Sequence, residues 1–341
     1  MRCAGSTTSR GRRPDAFQDG GSEDTDALGV VDSGARQRGK ISGTVSHRVL
    51  AWLFLAALFA SAASAAPARN GHLLYLRPLG GNSPPWGRLF IASPDGRGVR
   101  DITPAGILDV QGAAWSPDGE RIALSAIAVD DHDPEIFISS ADGARLRRVT
   151  NNHLSDRQPS WSPDGRWIAF ASARTGLFQI YSMRSDGSGQ RRLSHQAEDC
   201  ETPAWSPNGR WIVCACQLGY WKLVRMRPNG TAERRLLPGY PLTETSPTWT
   251  PDSRIVFSRG AKSSRGRGIF SVRADGTRLR RLRATGGDPS VSPDGRLIAF
   301  TWTPDGANQE LFVMRRDGSR VRQITATNGV IESAPDWQRS P

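Results

Sequence analysis

At 341 residues, 37% of them hydrophobic, the chain is long enough to bury a sizeable core, and its four cysteines are too few for a disulfide-stapled scaffold. The 45 Lys and Arg against 33 Asp and Glu give a net charge of +12, a balance that can attract anionic surfaces. The arginines recur along the chain instead of gathering in one stretch, so a nucleic-acid partner is not expected.

Residues 1–44 are polar, Gly-rich and aperiodic; they read as a disordered or mis-assigned extension, with translation beginning nearer Val45. Within residues 45–66, a basic start at His47-Arg48 leads into an apolar run ending at Phe59 and then small residues from Ser61 to Ala66. That order marks a secretory signal cut after Ala65 or Ala66. The alternative is an uncleaved membrane anchor, for which the apolar run is short. The remaining chain, residues 67–341, is expected in the periplasm or the extracellular space. It keeps 37 Lys or Arg against 27 Asp or Glu.

From here on the sequence repeats. Trp115-Ser-Pro-Asp-Gly119 recurs as Trp161-Ser-Pro-Asp-Gly165, Trp205-Ser-Pro-Asn-Gly209, Trp249-Thr-Pro-Asp-Ser253 and Val291-Ser-Pro-Asp-Gly295, at intervals of 46, 44, 44 and 42 residues. Repeats of this length indicate a radial or stacked array. A second marker keeps the same phase: an apolar run ending in Asp-Gly or Asn-Gly, with glycines at 96, 143, 187, 230, 276 and 318. Such a dipeptide between apolar runs signals a hairpin, because glycine takes the positive φ that the turn requires.

Each unit therefore reads as four short strands, here called A to D. Strand A carries a proline two residues before the tryptophan position, at Pro159, Pro203, Pro247, Pro289 and Pro335. Proline cannot donate to a ladder, so A is expected at a sheet edge. Strand B, such as Trp167–Phe170, is apolar on both faces, as a sheet packed between two others requires. Strand D is short and arginine-bearing, with Arg147, Arg191, Arg234, Arg280 and Arg322 among its residues. Charge on an outer edge blocks pairing with other chains.

These features predict an all-β, six-bladed β-propeller of four-stranded antiparallel blades. The first unit lacks an A strand, since Leu73-Leu-Tyr75 already reads as B, and the final Ala334-Pro-Asp-Trp337 is an A strand with no B after it. The C-terminal strand is thus expected to pair with the N-terminal blade and close the ring. A monomer suffices for such a closed unit.

The pattern Trp-Ser-Pro-Asp-Gly-Arg-x-Ile-Ala-Phe, clearest at Trp161–Phe170 and weaker at Trp115, Trp205, Trp249 and Val291, resembles the WD40-like (PD40) repeats of the TolB propeller family. The resemblance covers about four fifths of the chain, residues 70 to 338. It implies a six-bladed periplasmic propeller closed by a Pro-x-Trp strand, and a protein partner in the cell envelope. The smaller α/β domain that precedes the propeller in that family has no counterpart between the signal and the first repeat, so contacts made through it do not carry over. Related repeats also occur in propellers attached to hydrolases and in some polysaccharide lyases, but no Gly-x-Ser-x-Gly elbow is present.

In a propeller, the loops from D of one blade into A of the next converge on one mouth of the central channel. They carry Asp109, Asp156, Asp199, Glu201, Glu244, Asp288 and Glu332, with His153 and His195 close by. One reading is an acidic funnel that receives a cationic peptide or a hard cation such as calcium. The other is that each acid accepts hydrogen bonds within its own loop. The two histidines suit either acid–base chemistry or plain solvation on polar loops, and a lyase would need a denser cluster. The Asp130-Asp-His-Asp133 tip on the opposite face suits either a metal patch or plain solvation.

Of the cysteines, Cys200, Cys214 and Cys216 fall in one repeat. If Ser206 pairs with Arg210 around a three-residue turn, Cys200 lies opposite Cys216 and the two form a disulfide; three reduced, buried thiols are the alternative. Three thiols in one strand pair do not build a closed zinc cage.

The function expected from the sequence is that of an exported, non-enzymatic scaffold that binds a protein or peptide partner at the channel mouth, without a cofactor. The competing function is a channel-sited, metal-dependent hydrolase or lyase acting on an extracellular carbohydrate or lactone.

Overall fold

The computed structural model describes residues 69–78, 87–239, 241–260, 266–304, 306, 308–327 and 330–340; the segments 1–44 and 45–66, expected as an extension and a signal, lie outside them. Twenty-four strands follow one another with no α-helix among the described residues. The first seven are β1 (Arg69–Pro78), β2 (Gly87–Ala92), β3 (Arg100–Asp101), β4 (Ile107–Trp115), β5 (Arg121–Ala128), β6 (Glu135–Ser140) and β7 (Leu146–Arg148). Next come β8 (Asp156–Trp161), β9 (Trp167–Ser172), β10 (Gln179–Arg184) and β11 (Arg191–Arg192), then β12 (Cys200–Trp205), β13 (Ile212–Leu218), β14 (Tyr220–Met226) and β15 (Arg234–Arg235). The last are β16 (Thr243–Trp249), β17 (Arg254–Gly260), β18 (Gly268–Arg273), β19 (Arg280–Arg283), β20 (Gly287–Val291), β21 (Leu297–Trp302), β22 (Glu310–Arg315), β23 (Arg322–Gln323) and β24 (Ser333–Ser340).

Four sheets stand alone as antiparallel sets of four: β8–β11, β12–β15, β16–β19 and β20–β23. In each, the proline-bearing A strand is an edge and the arginine-bearing D strand is the other. The expected count of six separate blades is not what the pairing gives. The other eight strands form a single sheet, because Gly87 at the start of β2 pairs with Val110 of β4. β4 is long enough to make that reach: it runs for nine residues and carries two register shifts.

The chain's last strand pairs antiparallel with its first, Leu73 lying opposite Trp337 and Leu74 opposite Asp336. One core cluster spans this junction, with Leu73 and Tyr75 packed among Ala299, Leu311, Val313 and Trp337. Four other clusters likewise sit between consecutive sheets, as where Val213 and Leu223 meet Trp249, Ile255 and Phe257, and one lies within the eight-stranded sheet, where Leu74 and Leu89 of β1 and β2 pack with Ile122 and Leu124 of β5. B strands supply most of this interior, as in Ile168 to Ser172, all buried. Each such Ile or Phe stabilises the fold by about 1.5–3 kcal/mol.

The Asp-Gly turns do more than reverse the chain. A Cβ on Gly143 would meet Ile102 O at 2.1 Å, and one on Gly318 would meet Leu282 O at 2.1 Å. Gly187, Gly230, Gly276 and Gly96 face Val149, Leu193, Leu236 and Ile324 in the same way. Glycine is thus required twice, by its positive φ and by the backbone of the preceding repeat.

The A–B hairpin differs from the expected three-residue turn. Ser206 N donates to Trp211 O at 2.8 Å, so Ser206 faces Trp211 and not Arg210. Ser206 Oγ accepts the Trp211 amide at 2.9 Å, and Asn208 Oδ1 accepts that of Arg210 at 3.0 Å, which holds the wider turn. A bulge between Glu201 and Ala204 then absorbs one residue. Cys200 thereby lies opposite Cys216, and the two are disulfide-bonded. Cys214 is a buried free thiol, its Sγ 3.7 Å from that of Cys216.

Candidate functional site

The bulge in β12 belongs to a series. Gln158, Thr202, Ser246, Asp288 and Ala334, each three residues before the tryptophan position, hold φ between 44° and 54°. Left-handed backbone at a residue other than glycine costs on the order of 1 kcal/mol or more, and here it is repeated around one feature. The A strands of every repeat line a central channel of about 650 Å³, with Gln111, Gln158, Thr202, Ser246, Asp288 and Asp336 on its wall. Pro159, Pro203, Pro247, Pro289 and Pro335 line it as well. A proline has no amide to offer a guest strand, so side chains dominate what this wall presents.

The seven acids expected at the channel divide into two groups. Asp156, Glu244 and Glu332 are fully buried, each paired with an arginine, from the β9–β10 turn, β17 and β1 respectively. Arg174 lies 2.8 Å from Asp156, Arg259 2.9 Å from Glu244, and Arg77 2.7 Å from Glu332. Each arginine also stacks on two rings: Arg174 on Phe170 and Tyr181, Arg259 on Phe257 and Phe270, Arg77 on Tyr75 and Phe90. Carboxylate, guanidinium and aromatic pair form a repeated module that sets an opposite charge beside each buried carboxylate. Burial pushes the Glu332 carboxyl up, against hydrogen bonds and the Arg77 charge that pull it down. Cys200 occupies the position that Asp156 and Glu244 hold in their repeats, five residues before the tryptophan, so the disulfide stands where those two repeats place an ion pair.

The remaining four are less enclosed. Asp199 accepts the Phe178 amide at 2.8 Å, capping its own loop. Asp109 accepts from Gln111 Nε2 and Glu201 from Gln158 Nε2, both at 3.4 Å, and burial raises the pKa of each carboxyl. Asp288 reaches the channel and accepts from Ser246 Oγ at 2.8 Å. His153 and His195 are exposed. Among the described residues, no three of these carboxylates and histidines bring ligating atoms within 4.8 Å of one another; only Cys200, Cys214 and Cys216 meet that test, and two of them are bonded to each other. In the Asp130–Asp133 tip, Asp131 pairs with Arg148 at 3.0 Å.

Asp336 went unnoticed in the sequence. It lies one residue before Trp337, where the other repeats have Ala114, Ser160, Ala204, Thr248 and Ser290, so aligning the repeats singles it out. Burial pushes its carboxyl up to about 6, although the Trp115 and Trp337 amides and Ser290 oppose the shift. Two further acceptors on the wall, Gln111 Oε1 and Thr202 Oγ1, have no hydrogen-bond partner among the described residues. The channel thus offers acceptors and carboxylates, a surface that suits donor-rich, cationic guests.

Known proteins resemble the chain in sequence and in fold. The family described as PD40, TolB beta propeller domain, matches residues 107–289, more than half of the chain. An uncharacterized protein of Agrobacterium fabrum is 39% identical over 70 residues, 20% of this chain and 23% of that one. The Tol-Pal system protein TolB of Desulfosudis oleivorans is 38% identical over 61 residues, 18% of this chain and 14% of the relative. The chain thus spans less than a quarter of the length of these curated relatives. Among solved structures, TolB from Acinetobacter baumannii aligns with a TM-score of 0.66 at 21% identity, covering 79% of this chain and 66% of that one. At that identity the likeness establishes the fold, an all-β propeller of four-stranded antiparallel blades.

Proposed function

Because the chain belongs to the TolB β-propeller domain family, we propose that it is an exported, non-enzymatic scaffold that binds a protein or peptide partner of the cell envelope at its channel mouth and adjoining loops. In this reading the ring has six blades, the eight-stranded sheet counting as two blades joined at Gly87 and Val110. The observation that carries the proposal is the channel wall: among the described residues its lining carries Asp288 and Asp336 with no Lys or Arg, and Gln111 Oε1 and Thr202 Oγ1 are without hydrogen-bond partners. An extended peptide bearing Lys, Arg or free amides supplies the matching donors. Export is supported by the signal at residues 45–66 and by the Cys200–Cys216 disulfide, which persists in oxidising compartments.

The test is crosslinking in the envelope fraction with the native chain and with a plugged variant, Thr202→Arg with Ala334→Arg. Loss of the same crosslinked species from the folded variant supports the channel as the docking site; unchanged crosslinking removes it. Metal analysis of the purified protein is the second arm. A stoichiometric divalent ion overturns the non-enzymatic reading in favour of a metal-dependent hydrolase or lyase.

A further inference from the structure

Every D strand places an arginine four residues after the turn glycine: Arg100, Arg147, Arg191, Arg234, Arg280 and Arg322. At three seams it latches onto the next sheet's C–D turn. Arg147 donates to Asp186 O at 2.9 Å and Ser185 O at 3.0 Å, Arg191 to Pro228 O at 2.9 Å, and Arg322 to Pro94 O at 2.7 Å. A tryptophan fills the space below two such arginines' strands. Arg184 and Arg191 lie over Trp167 at 5.9 and 5.7 Å, and Arg225 and Arg227 over Trp211 at 3.8 and 4.1 Å. The ring faces offset part of the positive charge gathered there.

The seam between β16–β19 and β20–β23 is the one with arginine at both positions, the place before the B-strand isoleucine, which Arg121 and Leu297 hold in two other repeats, and the place in the facing C–D turn. Arg254 precedes Ile255 as Trp167 precedes Ile168 and Trp211 precedes Ile212, so a guanidinium replaces the indole. Arg316 stands where Ser185 and Pro228 accept the latch in their turns. Two cations replace a ring and a neutral turn residue, and the seam stays open: the cleft measures about 1130 Å³, against about 430 Å³ at the Trp167 seam.

Arg254, Arg278, Arg280, Arg296, Arg315 and Arg316 line this cleft, facing three carboxylates. Those carboxylates are already engaged. Asp252 holds Arg316 across the cleft. Asp294 accepts from Ser292 Oγ at 2.6 Å and Arg296 N at 3.0 Å, and Asp317 from Ser319 N at 2.9 Å and Oγ at 2.6 Å. Among the described residues, the side chains of Arg278, Arg280, Arg296 and Arg315 have neither a hydrogen-bond acceptor nor an ion-pair partner. Burial first, and then the charges of Arg273, Arg316 and Arg280, lower the pKa of Arg254, with Asp252 acting the other way. With six arginines against three carboxylates, the cleft holds an excess of positive charge on planar, forked donors.

We propose that this cleft is a binding site for a phosphate-bearing ligand with more than one anionic group. Guanidinium forks match phosphate oxygens two at a time, and the volume exceeds that of a single phosphate ion. The site lies on the outer seam, shares no lining residue with the channel, and stands independently of the channel's function.

The probe is tripolyphosphate, titrated calorimetrically into the full chain at moderate salt. Saturable binding is expected, weakened at least tenfold by Arg254→Trp with Arg316→Ala. Both replacements restore residues that other repeats carry at these positions, Trp167 and Ala274, which favours a folded variant. Arg166→Gln with Arg210→Gln removes the same two charges elsewhere and is expected to stay within twofold. The single change Arg280→Ser is expected to weaken binding at least threefold, which keeps the test decisive if the double variant misfolds. No saturable binding, or an equal loss in the cleft and control variants, overturns the site. Sedimentation with phosphatidylglycerol vesicles, compared with phosphatidylcholine alone, distinguishes the source. Variant-sensitive sedimentation assigns the phosphate to a lipid headgroup, and tripolyphosphate binding without it assigns a soluble ligand.

Discussion

Asp336 Oδ2 accepts the Trp115 amide proton at 2.8 Å, joining the last strand to the A strand of the first full repeat across 221 residues of sequence. Asp336 Oδ1 also accepts from Ser290 Oγ at 3.3 Å, so one carboxylate touches both neighbours of the closing strand. Trp205 N donates to Ser160 Oγ at 3.4 Å in the equivalent place, where a hydroxyl does the same work without a charge.

That charge has a pH signature. Its folded pKa, about 6, lies above its ordinary value of 3.8, so the folded state holds the proton more tightly. Stability therefore falls as pH rises from about 4 through about 6. Asp336→Asn keeps the acceptor and removes the ionisation. The variant is expected to gain about 1–3 kcal/mol at neutral pH and nothing below about pH 4. Urea midpoints across this range check it; a parallel shift at every pH would point to a cause other than ionisation.

Glu244 and Arg259 are a buried pair, with Lys222 Nζ 3.9 Å away as a second cation. Glu244→Ala leaves two cations without their carboxylate and is expected to cost about 3–5 kcal/mol. Denaturant unfolding measures the loss. If Glu244 instead serves chiefly as a ligand, stability holds and calcium binding disappears, and calorimetry with calcium separates the two outcomes.

The Cys200–Cys216 bond closes a loop of 16 residues. Cys200→Ser with Cys216→Ser is expected to lower stability by roughly 3 kcal/mol. Cys214 is different: burial and the Glu233 charge push its thiol far above the ordinary range. In the chain from residue 67 onward, alkylation is expected to reach Cys214 only after unfolding, and mass spectrometry counts the modified thiols.

Tryptophans at the repeat position are not equivalent. Trp337 Nε1 donates to Ser290 O at 3.1 Å, as Trp161 does to Ala114 O and Trp249 to Ala204 O. Trp205 Nε1 has no hydrogen-bond partner among the described residues. Trp337→Phe is thus expected to cost about 1 kcal/mol more than Trp205→Phe, read from thermal or urea midpoints. Trp337→Ala, which empties the closing core, is expected to cost about 3–5 kcal/mol.

Much of the architecture was readable because the repeat amplifies weak signals. A single Asp-Gly is a modest hairpin marker; six in phase define strand order, and the prolines of A and arginines of D name the edges. The register of the A–B hairpin was not readable in the same way. Ser206 pairs with Trp211, and the Thr202 bulge restores Cys200 to Cys216. Two offsets of one residue cancel, and neither leaves a trace in composition. The acids show the same limit. Asp156, Glu244 and Glu332 were expected on loops that enter A strands, yet Asp156 and Glu244 lie in the A strands themselves, and each of the three turns inward to meet an arginine.

Local chemistry, written residue by residue, determined the repeat, its four strands and the open ends that fit each other, since hairpin turns and apolar alternation act over a few positions. Only the tertiary structure decided which carboxylates carry exposed charge, that β2 and β4 share one sheet, and that one seam brings two arginines together from facing positions. Those outcomes depend on pairs such as Arg254 and Arg316, 62 residues apart in the chain and brought to one cleft by the packing of neighbouring sheets.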